Sequence, residues 1–218
     1  MPQSPFAKPT AYQRRKGAVS ARKKQLLETS SYFIKCLSSQ YEPYTWPEGK
    51  TWSLEIGFGN GEYLLQRASK QSNRYFLGIE LYTAGICSLL HNIQLQGLEN
   101  IFVIQGDATE VLTMLPDTMR FDRIDIPHPD PWPKKRQHKR RLVQLDFLQL
   151  CLQCLTTKGC INLLSDEPSY TEHMLACIDS LASARCQVQS NCKPMTKYGY
   201  KAIQEGRSIT SIELSANT

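Results

Sequence analysis

"TWSLEIGFGNGEYLLQRASK", residues 51–70, decides how the rest of the chain is read. "TWSLEI" has the length and β-rich content of a strand, and "GEYLLQRASK" has the apolar spacing of a helix. Between them, Gly57, Gly59 and Gly61 let the backbone turn sharply and let a ligand approach the main chain at the head of that helix. A strand running through glycines into a helix opens a βαβ unit. A dinucleotide fingerprint is spaced GxGxxG, whereas this loop is GxGxG with Glu55 two residues before the first glycine. That spacing disfavours a nicotinamide dehydrogenase.

Working outward, "YFLGIE" (75–80), "IFVIQ" (101–105), "FDRIDI" (121–126) and "CINLLS" (160–165) are further strand candidates. Helix-like segments fall near 83–95, 108–115, 139–155 and 168–183, and β-like runs near 185–190 and 208–214 finish the sheet. Alternation at this spacing implies a doubly wound, mostly parallel sheet with helices on both faces. The chain of 218 residues suits one such α/β domain over 31–218, preceded by a basic arm over 1–30.

The net charge of +6 is concentrated in two places. Residues 1–27 hold seven Lys/Arg and no acid, leaving 19 of the 26 basic residues against 20 acidic ones. Six of those 19 crowd into 134–141, as Lys134, Lys135, Arg136, Lys139, Arg140 and Arg141. Two cationic patches point to a polyanionic partner. The start of the chain carries no apolar signal region, and no run approaches 18 apolar residues, so neither a signal peptide nor a membrane span is expected. Pro2, Pro5 and Pro9 would interrupt the amphipathic helix of a transit peptide, which leaves a cytoplasmic protein as the expectation. Cys151 and Cys154 form a CxxC without a second pair, so packing in a reducing compartment is expected and no metal site.

Two more acids stand where strands end. Glu80 closes the second strand, 19 residues past Gly61, where a carboxylate can receive the hydroxyls of a ribose. Asp107 follows the third strand and is also a fair helix cap. With the glycine loop these describe a pocket for an adenine nucleoside. After the fourth strand comes "PHPDPWPKKRQHKRR", 127–141, with a proline at every second position from 127 to 133. Proline fixes φ and donates no backbone hydrogen bond, so this is a stiff loop leading into a cationic segment.

"EIGFGNGEY", "GIE", "GDA", "DPWPKKRQHKRR", "SDEPSYTEHM" and "TKYGYKAIQEG" follow one another as in the bacterial tRNA (guanine-N7-)-methyltransferase family, which the chain resembles from about 51 to 214. The resemblance implies a Rossmann-like class I methyltransferase fold, a seven-stranded sheet with an antiparallel last strand. It implies S-adenosylmethionine as cofactor and N7 of a guanine in the tRNA variable loop as the methyl acceptor. By it, Glu55, Gly57, Gly59, Gly61, Glu80, Asp107 and Asp130 line the cofactor site, and Asp130 is the catalytic residue. Lys134, Asp166, Thr196, Lys197, Tyr198 and Gly199 would touch the substrate, and Arg136, Lys139, Arg140 and Arg141 the RNA.

The chemistry is consistent with those residue types. Guanine N7 has a free lone pair, so its methylation needs no proton removal, and a fixed carboxylate at Asp130 would stabilise the cation forming on the base. Trp132 would either stack on a base or anchor the loop. The chain also departs from the family pattern. Pro127 and His128 replace an apolar or aromatic lead-in, Gly199 replaces a glutamate, Lys201 an arginine and Arg207 a histidine. Asp166 or Glu167 are the candidates to replace the lost carboxylate. An exocyclic-amine methyltransferase and a non-catalytic RNA-binding relic are the rival readings.

Overall fold

A computed structural model describes residues 20–34, 45–181 and 184–216. In chain order the elements are α1 (Ala21–Thr29), β1 (Phe33–Ile34), β2 (Thr51–Ile56), α2 (Glu62–Lys70), β3 (Arg74–Glu80), α3 (Thr83–Gln96), β4 (Ile101–Gln105), α4 (Ala108–Met114) and β5 (Phe121–Pro127). There follow a 3-10 helix (Lys135–Arg140), α5 (Leu145–Gln153), β6 (Leu155–Ser165), α6 (Pro168–Asp179), β7 (Ala184–Gln189), α7 (Lys197–Gln204) and β8 (Thr210–Ala216). They build one sheet of order β1-β4-β3-β2-β5-β6-β8-β7, parallel except that β8 runs antiparallel to both β6 and β7.

The expected doubly wound architecture and reversed last strand are present, with eight strands rather than seven. The extra one is β1, two residues pairing with Val103 and Ile104, too short to leave any alternation in the sequence. The helix expected over 139–155 is also shorter. Its cationic front is a 3-10 turn, and α5 begins only after Gln144, because β6 starts at Leu155 and the apolar run lies within 145–153. Of the arm expected over 1–30, residues 1–19 lie outside the described residues. Residues 21–29 are α1, packed on α3 through Leu26 and Leu27.

In-and-out alternation, interrupted in β5 by an irregularity between Phe121 and Arg123, divides the core. Phe76, Ile101 and Val103 pack under α1, α2 and α3. Leu54, Leu77, Ile79, Phe102, Phe121 and Ile124 pack under α4, α5 and α6 on the other face. Each fully buried Leu, Ile or Phe contributes about 1.5–3 kcal/mol. That outweighs helix propensity for a helix like α4, whose seven residues would not hold alone in water. The helix rests on buried Ala108, Val111 and Leu112 and on the Asp107 cap. No helix among the described residues is long and apolar enough to cross a membrane.

Candidate active site

At the carboxyl edge of β2 the three glycines all adopt left-handed backbone, with φ of 75° at Gly57, 58° at Gly59 and 81° at Gly61. A Cβ on Gly57 or Gly59 would meet nothing within 4 Å, so conformation, not crowding, selects glycine there. Gly85, in the first turn of α3, is glycine for the opposite reason: a Cβ would lie 2.0 Å from the Gly59 carbonyl oxygen. The loop is further tied by Gly57 N donating to the Ile79 carbonyl at 2.8 Å and by the buried Phe58 ring.

Glu80 takes part in this loop directly. Its Oε2 accepts from Gly59 N at 2.7 Å, and its Oε1 accepts from Leu81 N at 2.7 Å and Tyr82 N at 2.9 Å. A carboxylate offers about four acceptor sites, so three amides leave room for one further donor such as a sugar hydroxyl. Asp107 is the N-cap of α4, accepting from Thr109 N at 2.9 Å and Glu110 N at 3.3 Å. Both bonds end on Oδ1, so the cap does not use its second oxygen.

Beneath the loop runs a row of polar residues in which Glu55 was expected from the sequence, whereas Asp125 and Asn162 were not. Glu55 lies in register with Asp125 on β5, and Asp125 with Asn162 on β6. Asp125 is completely buried and pairs with Arg67; its Oδ1 also accepts from Arg123 Nε at 2.9 Å and Asn162 Nδ2 at 3.1 Å. Glu55 is equally buried, and its Oε2 has no hydrogen-bond partner among the described residues. Burial, then the neighbouring Asp125 carboxylate, push the Glu55 carboxyl well above the ordinary range. The available signal was positional: "SLEIG", "RIDIP" and "CINLL" each place one polar residue just before the last apolar ones of an apolar strand.

Because β2 and β5 are parallel neighbours, the glycine loop and the 128–134 loop leave the sheet side by side. Asp130 is exposed on the second loop. Two non-glycine residues there also take left-handed backbone, His128 at φ 49° and Trp132 at φ 46°. Side chains fix this conformation. The Arg140 guanidinium lies 5.0 Å from the centre of the Trp132 ring, so an arginine of the following 3-10 helix covers the tryptophan. His128 N donates to the Leu164 carbonyl at 2.9 Å, and its Nδ1 lies 2.7 Å from Asp166 Oδ1. Asp166 in turn pairs with Arg207, which pairs with Glu205. Burial and the Arg207 cation push the His128 imidazole down to about 4, so it is neutral.

The cationic run divides in two. Lys134, Lys135, Arg136 and Lys139 are exposed, as phosphate contacts must be, and Arg140 is half-buried on Trp132. Arg141 departs from the expectation that it contacts RNA, because it is only 3 % exposed. Its Nε donates to the Pro131 carbonyl at 2.9 Å, and Nη1 and Nη2 donate to the Ser169 carbonyl and hydroxyl at 3.0 and 3.1 Å. The guanidinium stacks 4.8 Å over the buried Tyr170 ring. Arg141 therefore clamps the Asp130 loop to the start of α6, and no signal in a run of basic residues distinguishes it from its neighbours.

The 196–199 segment opens α7. Thr196 is its N-cap, its Oγ1 accepting from Gly199 N at 3.1 Å, while Lys197 and Tyr198 are exposed. Gly199 is buried against His128, Ile209 and Pro194. Of the expected substrate residues, the structure thus joins Gly199 and Asp166 through His128 and leaves Lys134 on the open cationic turn. Cys151 is packed in the core and Cys154 sits at its margin, and burial pushes both thiols up. Among the described residues no cluster of His, Cys, Asp or Glu could hold a metal.

A sheet of this order, closed by a reversed strand and fronted by a glycine loop, is the Rossmann-like methyltransferase fold. An rRNA methylase from Streptococcus thermophilus superposes with a TM-score of 0.56 at 10 % identity, covering 78 % of this chain and 88 % of that one. A 30S ribosomal A1408 methyltransferase from an uncultured bacterium gives 0.53 at 14 % identity over 93 % and 98 %. Sequence narrows the class. The family described as "Putative methyltransferase" matches residues 50–212. The tRNA (guanine-N(7)-)-methyltransferase of Nitrosococcus oceani is 43 % identical over 159 residues, 72 % of this chain and 67 % of that protein. The one from Leifsonia xyli is 36 % identical over 168 residues, 74 % of each chain. The chain belongs to the tRNA (guanine-N(7)-)-methyltransferase family.

Proposed function

We propose that this chain transfers a methyl group from S-adenosylmethionine to N7 of a guanine in the variable loop of tRNA. One observation carries the reading: the glycine loop and the Asp130 loop leave neighbouring parallel strands in register, with the exposed cations continuing from the second loop. The residues fit the cofactor. Gly57 and Gly59 leave open space at the loop, Glu80 keeps one acceptor site for a ribose hydroxyl, and Glu55 holds an unsatisfied buried oxygen beneath it. Glu55, Gly57, Gly59, Gly61, Glu80 and Asp107 would hold it, and Asp130 would face the transfer from the loop after the neighbouring strand.

When bound, S-adenosylmethionine supplies an electrophilic methyl on a sulfonium, and the N7 lone pair accepts it without losing a proton. The chain's part is to hold the base and meet the charge that arrives on it. Asp130, carried on a loop fixed by Pro129, Pro131 and the Arg141 clamp, stabilises the purine cation by preorganised charge rather than as a base. Lys134, Lys135, Arg136 and Lys139 bring the phosphate backbone to that loop. Incubation with unmodified tRNA and labelled methyl donor, followed by nucleoside analysis, tests the reading. Labelled 7-methylguanosine is expected; label in an exocyclic methylamine would establish the rival chemistry.

A further inference from the structure

Three of the positions where this chain parts from the family pattern, His128, Gly199 and Arg207, are distant in sequence and meet at one point. His128 Nδ1 faces Asp166, Arg207 holds the other oxygen of Asp166, and Gly199 lies against the far side of the imidazole. A Cβ at 199 would be 3.1 Å from His128 Nε2, so any longer side chain there competes with the ring for the same space. The histidine and the glycine are a matched pair.

The arrangement also fixes what the ring can do. An ionised carboxylate only accepts, so Nδ1 carries the hydrogen and Nε2 presents a bare lone pair. Arg207 balances the charge of Asp166 and so removes its call for a second proton on the ring. Nε2 is buried without a hydrogen-bond partner among the described residues, on a side chain only 5 % exposed. A buried unsatisfied acceptor on a residue with strained left-handed backbone is a costly combination, found where a ligand completes the site.

We propose that His128 is the specificity-determining residue of this chain: its Nε2 accepts a hydrogen bond from the N1–H or the 2-amino group of the target guanine. This rests on the guanine reading above. Guanine offers donors only on the edge away from N7, and adenine has no ring N–H there, so an acceptor at this point selects between the purines. His128 stands two residues before Asp130 on the same stiff loop. At most about 7 Å separates such residues along the chain, comparable to the width of a purine. The first turn of α7 covers Nε2 and is exposed at Lys197, Tyr198 and Tyr200, so a base entering beside Tyr198 would have to displace that turn to reach the ring.

The test uses the full chain with tRNA carrying guanosine, inosine or 1-methylguanosine at the target position. His128→Phe is expected to lower kcat/KM on guanosine tRNA about tenfold, the worth of one hydrogen bond, with unchanged S-adenosylmethionine affinity. His128→Gln, which returns an acceptor near Nε2, recovers part of the loss. One of the two analogues should cost the wild type about tenfold and cost His128→Phe nothing further. Full activity of His128→Phe on guanosine tRNA overturns the proposal. So do proportional losses by both variants on all three substrates, which mark a purely structural role. Absence of transfer by the wild type to guanosine tRNA, with S-adenosylmethionine still bound, removes the guanine reading itself.

Discussion

The two loops that face each other across β2 and β5 reach the same left-handed backbone by opposite means. In the 57–61 loop every left-handed residue is glycine, and the shape is written in the local sequence. In the 128–134 loop the left-handed residues are a histidine and a tryptophan, each costing on the order of 1–3 kcal/mol. Their shape is imposed from outside, by Asp166 with Arg207, by Arg140 over Trp132, and by Arg141 on Pro131. The glycine loop is a cradle that many chains can make; the 128–134 loop is held under tension by groups outside it. If the proposed function holds, specificity for the acceptor would reside in these clamps.

The sharpest break between the loops is Asp130→Asn. It should lower the single-turnover rate with tRNA by about 10²–10³-fold while the methyl donor binds as before. An unaltered rate would leave the loop with a purely steric role. Next comes Arg141→Ala, which strands the Pro131 and Ser169 carbonyls and should cost roughly 2–4 kcal/mol of stability along with turnover. Its tRNA affinity should keep the wild-type salt dependence, whereas Arg136→Ala with Lys139→Ala should lower the slope of log K against log salt by about 2. Equal slopes in the two variants would return Arg141 to the RNA surface.

On the donor side the order of two substitutions is diagnostic. Gly85→Ala places a Cβ 2.0 Å from the Gly59 oxygen and must move the loop, so donor affinity should fall at least about tenfold by titration calorimetry. Gly57→Ala meets only the left-handed penalty of about 1–2 kcal/mol, seen as a lowered unfolding midpoint with a smaller change in affinity. The reverse order would mean that the loop's conformation, not α3, sets the cradle.

The smallest effect is a pH dependence. A His128 imidazole held down to about 4 leaves the unfolded chain to take up a proton first as pH falls below 6.5. Its stabilising share is complete above 6.5 and is lost between there and about 4. His128→Phe should therefore flatten the decline of the unfolding midpoint between pH 7 and 5, by on the order of 1–2 kcal/mol. Asp166 and Arg207 face the ring in the wild type, and the raised Glu55, whose effect has the opposite sign, is common to both proteins and cancels.

The same contrast explains what the sequence disclosed. Strand, glycine turn and helix are local events, so β2 to α4 follow from composition and spacing almost to the residue. β1 did not, because two residues carry no period and their pairing with β4 is decided by the sheet edge. Asp107 was open to two readings, and its cap to α4 is now visible. Asp125 was hidden because most of what satisfies an acid inside an apolar strand is remote: Arg123 stands two residues before it, but Arg67 and Asn162 come from α2 and β6. Arg141 was misplaced for a related reason: burial of one cation among six depends on the Tyr170 ring and Ser169.

Reduction and aniline cleavage break an RNA chain at 7-methylguanosine and leave other methylguanosines intact. Treatment of tRNA after incubation with this protein and S-adenosylmethionine should yield a single new break, at a guanine of the variable loop. Methyl incorporation without that break would contradict N7 chemistry at this site.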